Sequence, residues 1–372
     1  MKRCGAMVLA AVLVCAPAPA HETDQYTLPL DGDFADLGDY FDAVHLRALE
    51  QTVNALNEKI GEAVKVRDAG GRARRLAQLH DLDTVQAEVY SHFNDAFTEI
   101  MDIEDALRSD WARRTYGDKR TAYRTWDWIY MYSHAWLDPR RLILAWQSST
   151  VKAYGVYFGT DKLSHFHHMG RFYYGAYRRA LARGDTPEEA TAAVVGTYSS
   201  GSPIGENGLL GIAVTGVYSN ADLVANYAGF KFYVNLTEPV MLKGQTRPPL
   251  LVRIGDYWAL NTHVRADSGW FGWYVSDHWN EVFNPCVFDV TIKGDVGRLI
   301  RDRAPEIMRF WVEKDARPAD SEYYDSLTRE LFTYYGEPYG HEGDADSLFT
   351  VANTILPAAR ARGEHTDLVS LR

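Results

Sequence analysis

The chain has 372 residues, of which 46% are hydrophobic and 24% charged, and its formal net charge is −11. This composition is typical of a globular protein with enough apolar material for a large core. An acidic chain without a basic block argues against nucleic acid, and against an anionic membrane surface, as its partner.

Residues 1–20 have the features of a secretory signal peptide. Two basic residues precede an apolar run, and Ala18, Pro19 and Ala20 supply small residues for cleavage after Ala20. The run is shorter than the roughly 20 residues that a membrane-spanning helix needs. We therefore expect a periplasmic or otherwise exported protein whose mature chain has no transmembrane segment. A lipoprotein anchored at Cys15 is disfavoured, because the bulky Val14 precedes that cysteine.

Hydrophobic periodicity predicts a mainly α-helical, bundle-like single domain over residues 41–372, preceded by a flexible lead-in at 21–40. Apolar residues recur at helical spacing over 41–66 and again over 83–109. Glycines at 70–71 are expected to end the first of these helices. The two helices could then pair as a hairpin.

Tryptophan and tyrosine are dense between residues 121 and 158. Aromatic side chains bury a large area, so this density favours core packing. The alternative interpretation is a stacking platform for a sugar. The residues concerned are Trp126, Trp128, Tyr130, Tyr132, Trp136 and Trp146.

The motif core, residues 159–236, has clear helix signals. Thr186 combines with Pro187 and Glu189 as an N-cap, a first-turn proline and a capping-box acid. Ser219 precedes another helix in the same way. The glycines of the stretch 199–216 predict a loop between them.

Past residue 250 the helical period fades and then returns. A small β element is predicted near residues 250–292, with candidate strands at 251–254 and 287–292. Helices are expected again toward the C-terminus, over 296–313, 321–335 and 348–362.

Polar residues concentrate at the start of the helix that follows Thr160. Asp161, His165 and His168 share one face of a regular α-helix, with Lys162 beside them. They could be a solvated face on which Asp161 stabilises the helix N-terminus, or a functional group of side chains. Phe172, which continues the same face, argues against a fully solvated stripe.

A second polar face lies on the helix capped by Ser219. Asp222, Asn226 and Gly229 follow at helical spacing, and a buried asparagine needs hydrogen-bond partners. Gly229 would allow another helix or a ligand to approach closely. Between the two helices, Glu206 lies in a glycine-rich loop, where a carboxylate is commonly just solvated.

A further pair of polar residues is His278 and Glu281, three positions apart. They could co-ligate a metal if their segment is helical, or form an ordinary pair on a surface turn. No HExxH, GxSxG or Walker motif occurs, so whether the chain is an enzyme stays undecided.

The motif series over residues 159–233 resembles that of the VanZ-like family and of related small periplasmic lipoproteins. The series runs Asp161-Lys162-x-x-His165-Phe166, then Glu206, then Ser219-x-x-Asp222-Leu223-x-Ala225-Asn226-x-x-Gly229. The family is associated with cell-envelope roles, including glycopeptide resistance, and has no established biochemical activity. It carries these motifs on membrane-spanning helices, whereas the basic residues of this helix differ from that pattern.

If the two helices face each other, Asp161, His165, Asp222 and Asn226 would meet in one pocket with Glu206 above it. Such a pocket would clamp the helices, bind a ligand, or hold a divalent metal ion on Asp161, His165 and Asp222. The sequence therefore predicts an envelope protein with a structural or ligand-binding polar cluster. The alternatives are a metal-dependent hydrolase acting on an envelope glycan or lipid headgroup, and a carbohydrate-binding protein. Its expected partner is an envelope glycan, lipid or protein.

Overall fold

The computed structural model describes residues 21–93, 95–124, 146–203, 205–208, 211–213, 215–330, 339–344 and 346–362. Within them the fold is mainly α-helical with short two-stranded β pairings, which confirms the predicted fold class. No described helix is both long enough and apolar enough to cross a membrane. The predicted signal peptide and the aromatic positions from Trp126 to Trp136 lie outside the described residues.

The described helices are numbered α1 to α11 in chain order. The sixth and the eleventh are continuous helices that each include one π-helical turn, His165–Met169 and Val351–Ile355 respectively, and the seventh continues past Gly196 into a π-helical turn at Thr197–Gly201. They are α1 Gly38–Val64, α2 Ala69–His80, α3 Leu82–Tyr90, α4 Ala96–Arg108, α5 Asp110–Tyr116, α6 161–183, α7 Pro187–Gly196, α8 Asn220–Asn235, α9 Val290–Glu313, α10 Ser321–Arg329 and α11 351–361.

The strands are two to four residues long and pair in twos. The pairs are β1 (His21–Glu22) with β2 (Trp146–Gln147), β3 (Thr150–Ala153) with β4 (Val156–Gly159), β5 (Val217–Tyr218) with β10 (Val287–Phe288), β6 (Val240–Leu242) with β7 (Gln245–Arg247), and β8 (Leu251–Ile254) with β9 (Tyr257–Leu260).

The late β element is where the sequence predicts it, but the second candidate strand is shorter. Strand β8 covers 251–254 as expected. The expectation of a strand over 287–292 is wrong after Phe288, because the Asp289 side chain accepts a hydrogen bond from Thr291 N at 2.9 Å and starts α9 there. The predicted helix at 296–313 therefore begins earlier, at Val290.

Two expectations about the N-terminal helices are wrong. The glycines at 70–71 do not end a helix: Asp68 accepts hydrogen bonds from both glycine amides and begins α2. The single helix expected over 83–109 is instead divided between α3 and α4. Asp95 accepts from Thr98 N at 3.2 Å, so a new N-terminal cap interrupts the apolar periodicity.

The expected flexible lead-in is also wrong for part of its length. Residues 23–28 are buried, and Thr23 has 0% exposed surface. The segment crosses the core because its polar side chains bond to buried partners there. The Tyr26 hydroxyl, for example, donates to the backbone oxygen of Glu281 at 3.1 Å.

Helices α6 and α8 form the centre of the fold and run in the same direction. Contacts advance together along both, from Lys162 with Asp222 to Tyr233 with the backbone oxygen of His167. Almost every residue of α8 is buried, so it is surrounded by protein on all sides.

Glycines allow the backbones of α6 and α8 to touch. A Cβ atom placed at Gly229 would lie 1.9 Å from the Phe166 oxygen, and one at Gly170 would lie 2.5 Å from the Gly229 carbonyl carbon. The close approach expected at Gly229 is therefore made by another helix. It brings the polar faces of the two helices within reach of each other.

Substituting Gly229→Ala should lower the free energy of unfolding by about 3 kcal/mol, because backbone atoms rather than a movable side chain meet the new methyl group. Gly61→Ala is the matched control, since a Cβ at Gly61 meets nothing within 4 Å. The control should stabilise its helix by roughly 0.5–1 kcal/mol. Urea unfolding of both variants measures the difference, and equal stabilities would contradict the close packing.

Candidate functional site

A buried lysine occupies the centre of the polar cluster. The Lys162 ammonium lies 2.9 Å from Asp161 Oδ2, 2.5 Å from Asp222 Oδ1 and 2.7 Å from Glu281 Oε1, and all four side chains are at most 1% exposed. We call these four residues the lysine cage. Burial alone would lower the pKa of Lys162, but the three carboxylates raise it well above its ordinary value. The ammonium therefore stays charged and holds three chain segments together.

The N-terminal segment completes the lysine cage from outside the two helices. Thr23 donates its hydroxyl to Asp161 Oδ1 at 2.8 Å, and Gln25 accepts from the Glu281 amide at 2.7 Å. Sequence reasoning missed Thr23 and Gln25, because nothing in their local pattern indicates burial. It noticed Glu281, but only as a possible partner of His278.

His278 and Glu281 form neither of the arrangements considered for them. His278 contacts the Leu327 backbone oxygen at 3.1 Å, whereas Glu281 turns to Lys162. Both side chains are fully buried, so the surface-turn interpretation fails as well. Burial lowers the pKa of His278 to about 4 and raises that of Glu281, against the opposing effect of Lys162, to about 7.

His165 extends the cluster toward the edge of the core. Its Nδ1 lies 2.9 Å from Asn226 Oδ1, and its Nε2 lies 3.2 Å from Asp222 Oδ2. An amide oxygen only accepts, so Nδ1 donates to Asn226. In a neutral His165, Nε2 then turns a lone pair toward the Asp222 carboxylate. A proton or a metal ion between these two atoms would remove that repulsion.

Glu206 approaches the same place from its loop. Its Oε2 accepts from the Ser219 amide at 3.4 Å, and its Oε1 is buried without a hydrogen-bond partner. Burial, together with the nearby Asp222 carboxylate, raises the pKa of Glu206 well above its ordinary value. A buried carboxylate oxygen without a donor is costly and indicates a missing proton or cation.

Two sets of ligand atoms converge within 4.8 Å: His165 with Glu206 and Asp222, and Asp161 with Asp222 and Glu281. The second set already surrounds the Lys162 ammonium, so its cation position is filled. The first, which we call the candidate cation site, has the unpartnered Glu206 oxygen. Two atoms bonded to one tetrahedral zinc ion lie about 3.4 Å apart, close to the His165–Asp222 separation.

The predicted metal set of Asp161, His165 and Asp222 is therefore not the one whose atoms converge. Asp161 is held by Thr23 and Lys162, and Glu206 takes its place beside His165. Of the other predicted cluster members, Ser219 caps α8 and contacts Glu281 at 3.4 Å, and Asn226 orients His165. Glu206, whose place in a glycine-rich loop suggested a solvated carboxylate, is instead buried beside His165 and Asp222.

His168 does not join Asp161 and His165, contrary to the expectation from α-helical spacing. The π-helical turn His165–Met169 adds a residue to the helical repeat and rotates the following side chains. His168 Nε2 instead lies 2.9 Å from Glu99 Oε2, and its Nδ1 lies 2.8 Å from the Tyr90 hydroxyl. Phe172, which suggested a buried stripe, is 48% exposed.

His168 belongs to a second buried network that sequence reasoning missed. We call it the histidine chain: Tyr90, His168, Glu99, His167 and His45. Glu99 bridges two imidazoles, through Oε1 to His167 Nδ1 at 2.5 Å and through Oε2 to His168 Nε2. His167 Nε2 continues to His45 Nε2 at 2.8 Å. His45, Glu99 and His167 lie 54 and 68 positions apart along the chain, so no local spacing could reveal them.

The hydrogen-bond partners of His45 determine which of its ring nitrogens carries the proton. His45 Nδ1 lies 2.7 Å from the Phe41 oxygen and must donate to it, so the Nε2 of a neutral His45 accepts from His167. Burial and the nearby His167 lower the pKa of His45 well below its ordinary value, which keeps it neutral. His167 faces the Glu99 carboxylate through Nδ1, so Glu99 and His45 contact the ring at both of its nitrogens.

Comparison with protein-family models, with curated proteins and with solved structures finds no match to this chain. Any function proposed for the site therefore rests on the geometry of its own residues.

Glu206→Gln should make the metal-free protein more stable than wild type, increasingly so as pH rises. The raised pKa of Glu206 means that the folded state retains its proton above pH 4.5, so wild-type stability falls as pH rises from 4.5 toward the folded pKa. The variant lacks this loss, which amounts to about 1.4 kcal/mol per pH unit. Urea unfolding with a chelator at pH 5 to 8 measures it. Glu58→Gln, at an exposed position, is the control, and a pH-independent difference for Glu206→Gln would refute the buried charge.

Glu99→Gln should lower the free energy of unfolding by about 3 kcal/mol at pH 7, because it removes the buried carboxylate that bonds to both His167 and His168. Although burial opposes it, His167 and His168 lower the pKa of Glu99 to about 2. A lowered carboxyl pKa stabilises the fold above the unfolded value of 4.5, and this stabilisation is lost as pH falls from 4.5 to 2. The difference between variant and wild type should therefore shrink in that interval. Glu62→Gln, at a 69% exposed side chain, should show neither effect.

Proposed function

We propose that this chain is an envelope protein whose buried centre binds a divalent cation through His165, Glu206 and Asp222. The observation that carries the proposal is the unpartnered Glu206 Oε1, buried beside an imidazole nitrogen and a second carboxylate. One nitrogen and two oxygen ligands suit zinc or manganese. Asn226 would orient His165 through its other nitrogen, as outer hydrogen-bond partners commonly do for ligating histidines.

The charges of the cluster support a cation at this position. Four buried carboxylates, on Asp161, Asp222, Glu281 and Glu206, face the single ammonium of Lys162. Burying an ionised carboxylate without a cation costs much free energy, so in the absence of a cation such a group tends to hold a proton. The raised pKa values of Glu206 and Glu281 express this tendency. A divalent ion at the candidate cation site would replace those protons. It would also tie the loop of Glu206 to α6 and α8.

The cellular setting of the proposal comes from the sequence. The signal-peptide features of residues 1–20 support export, and the Asp-Lys-x-x-His-Phe series supports a relation to the VanZ-like families of the cell envelope. In that setting the cation would act as a clamp or as part of a ligand-binding centre. An envelope glycan, lipid or protein is the partner that this setting favours.

The burial of the cluster supports a clamp more than an open active site. Glu206 is 1% and Asp222 0% exposed, which favours a closed, non-catalytic centre. One observation favours the hydrolase alternative: the His165 side chain is 10% exposed, so one edge of the site meets solvent. A bound metal could polarise a glycan or lipid headgroup that enters there. The carbohydrate-binding alternative depends on the belt from Trp126 to Trp146, of which Trp126, Trp128 and Trp136 lie outside the described residues.

Elemental analysis of the mature protein, purified without chelators, tests the proposal. We expect about one equivalent of a divalent transition metal in wild type, and its loss in His165→Ala and in Glu206→Gln. His80→Ala is the control, because that part-buried histidine lies outside the cluster, where it contacts the Asp256 backbone oxygen, the Arg253 side chain and the Trp258 ring. It should retain the metal.

The absence of metal after purification and after dialysis against zinc or manganese would overturn the proposal. Circular dichroism of each variant excludes unfolding as the cause of metal loss, and Glu206→Gln serves if His165→Ala does not fold. Turnover of envelope glycan or phospholipid by the metal-loaded protein, absent in Glu206→Gln, would replace the clamp by the hydrolase alternative.

A further inference from the structure

The hairpin of β8 and β9 has one face toward the core and one toward solvent. On the core side, the buried Trp258 donates its indole N–H to the Leu79 backbone oxygen at 3.1 Å, and its backbone bonds to the Asn57 side chain. Ile254 and Tyr257 are paired across the two strands, so their side chains share the other face. They are 69% and 42% exposed. An isoleucine and a tyrosine therefore lie together in solvent at the tip of the hairpin.

The tip of the hairpin is held by the end of α2. His80 donates from Nε2 to the Asp256 backbone oxygen at 2.8 Å, and Arg253 donates to His80 Nδ1 at 3.1 Å. Gly255, with φ +64°, supplies the left-handed residue that the tight turn between the strands requires. The exposed apolar pair is therefore presented in one fixed position beside α2.

The apolar pair is bordered by basic residues. Residues 62–80 and 251–257 carry six lysines and arginines against three carboxylates, in a protein whose net charge is −11. Of these carboxylates, Glu62 pairs with Lys65 and Asp68 caps α2. Four arginines are exposed and make no ion pair within the described part of the chain: Arg67, Arg72, Arg74 and Arg75. We call these four arginines, with Ile254 and Tyr257, the basic surface.

The negative charge of the whole chain does not prevent the basic surface from meeting an anionic membrane. At physiological ionic strength salt screens charges over about 8 Å, so only groups near the contact count. The acidic composition argues against such a membrane only if the charges are evenly spread. Folding instead places the arginines of α2 within two helical turns of Leu79, where α2 contacts the hairpin.

We propose that the basic surface docks the protein on a membrane that contains anionic phospholipid, with Ile254 and Tyr257 entering the headgroup region. Arginines bind phosphate oxygens through paired N–H donors. Isoleucine gains free energy by leaving water, and a tyrosine ring suits the boundary between headgroups and acyl chains. A soluble acidic glycan would pair with the arginines but would leave the apolar pair in water, so the membrane fits the surface better. This proposal does not depend on a cation at the candidate cation site.

Co-sedimentation of the mature protein with vesicles tests the docking. We expect binding to vesicles of phosphatidylcholine mixed with phosphatidylglycerol, and none to vesicles of phosphatidylcholine alone. Ile254→Ser should weaken binding about tenfold, because it removes an apolar side chain that the membrane would take out of water. Replacing Arg74 and Arg75 by glutamine should weaken it about fivefold per charge. All three positions are exposed, and circular dichroism checks that the variants fold.

Arg114→Gln and Val290→Ser are the matched controls. Arg114 is exposed on α5, which contacts Tyr40 at the beginning of α1 through Trp111, whereas α2 follows the end of α1. Val290 is 88% exposed at the start of α9. Neither substitution should alter vesicle binding. Equal weakening in the controls would show unspecific attraction and overturn the proposal, as would equal binding to both kinds of vesicle or binding to neither.

Two further outcomes would overturn the proposal by assigning the basic surface to another partner. Binding to dextran sulfate without binding to vesicles would assign the arginines to an acidic glycan. Self-association that is lost in Ile254→Ser, without binding to vesicles, would assign the apolar pair to a second copy of the chain. Metal content should be unchanged in every variant, so failure of the docking would leave the candidate cation site unaffected.

Discussion

The buried ammonium of Lys162 is the interaction on which the centre of this protein depends. It joins the start of α6 to the first turn of α8 through Asp222, and to a late segment of the chain through Glu281. The N-terminal segment closes over the same cluster through Thr23. Removing Lys162 from this cage would leave three buried carboxylates without their cation, so the segments that carry them depend on one ammonium. This concentration of charge also creates the candidate cation site, because Asp222 serves both.

A second buried contact, between His167 and Glu99, fixes α4 against α6 on another side of the π-helical turn. Because of this turn, the neighbouring histidines of α6 take part in two separate networks, the candidate cation site and the histidine chain. His165 points to Asp222, whereas His167 and His168 point to Glu99. A regular α-helix would have placed His165 and His168 on one face. Local unwinding of this kind is frequent at functional sites, where side chains need directions that a regular helix does not offer.

How far the sequence predicts the fold depends on whether the signal is local. The capping box at Thr186 and the cap at Ser219 are present as expected, because a cap is decided by residues within one turn. Strand β8 is also found where the sequence analysis places a candidate strand. The break between α3 and α4 and the shortened strand at Phe288 were missed, since new N-terminal caps at Asp95 and Asp289 outweigh the apolar pattern.

The sequence by itself determined the helical class of the chain, and it predicted the two polar helix faces from which Asp161, His165, Asp222 and Asn226 were expected to meet. Only the tertiary structure decided that Glu206, rather than Asp161, stands beside His165, and that Glu281 completes the lysine cage. Helical periodicity reports which residues share a face, because that depends on spacing along one element. It carries no information about contacts between segments more than a hundred residues apart, which packing alone creates.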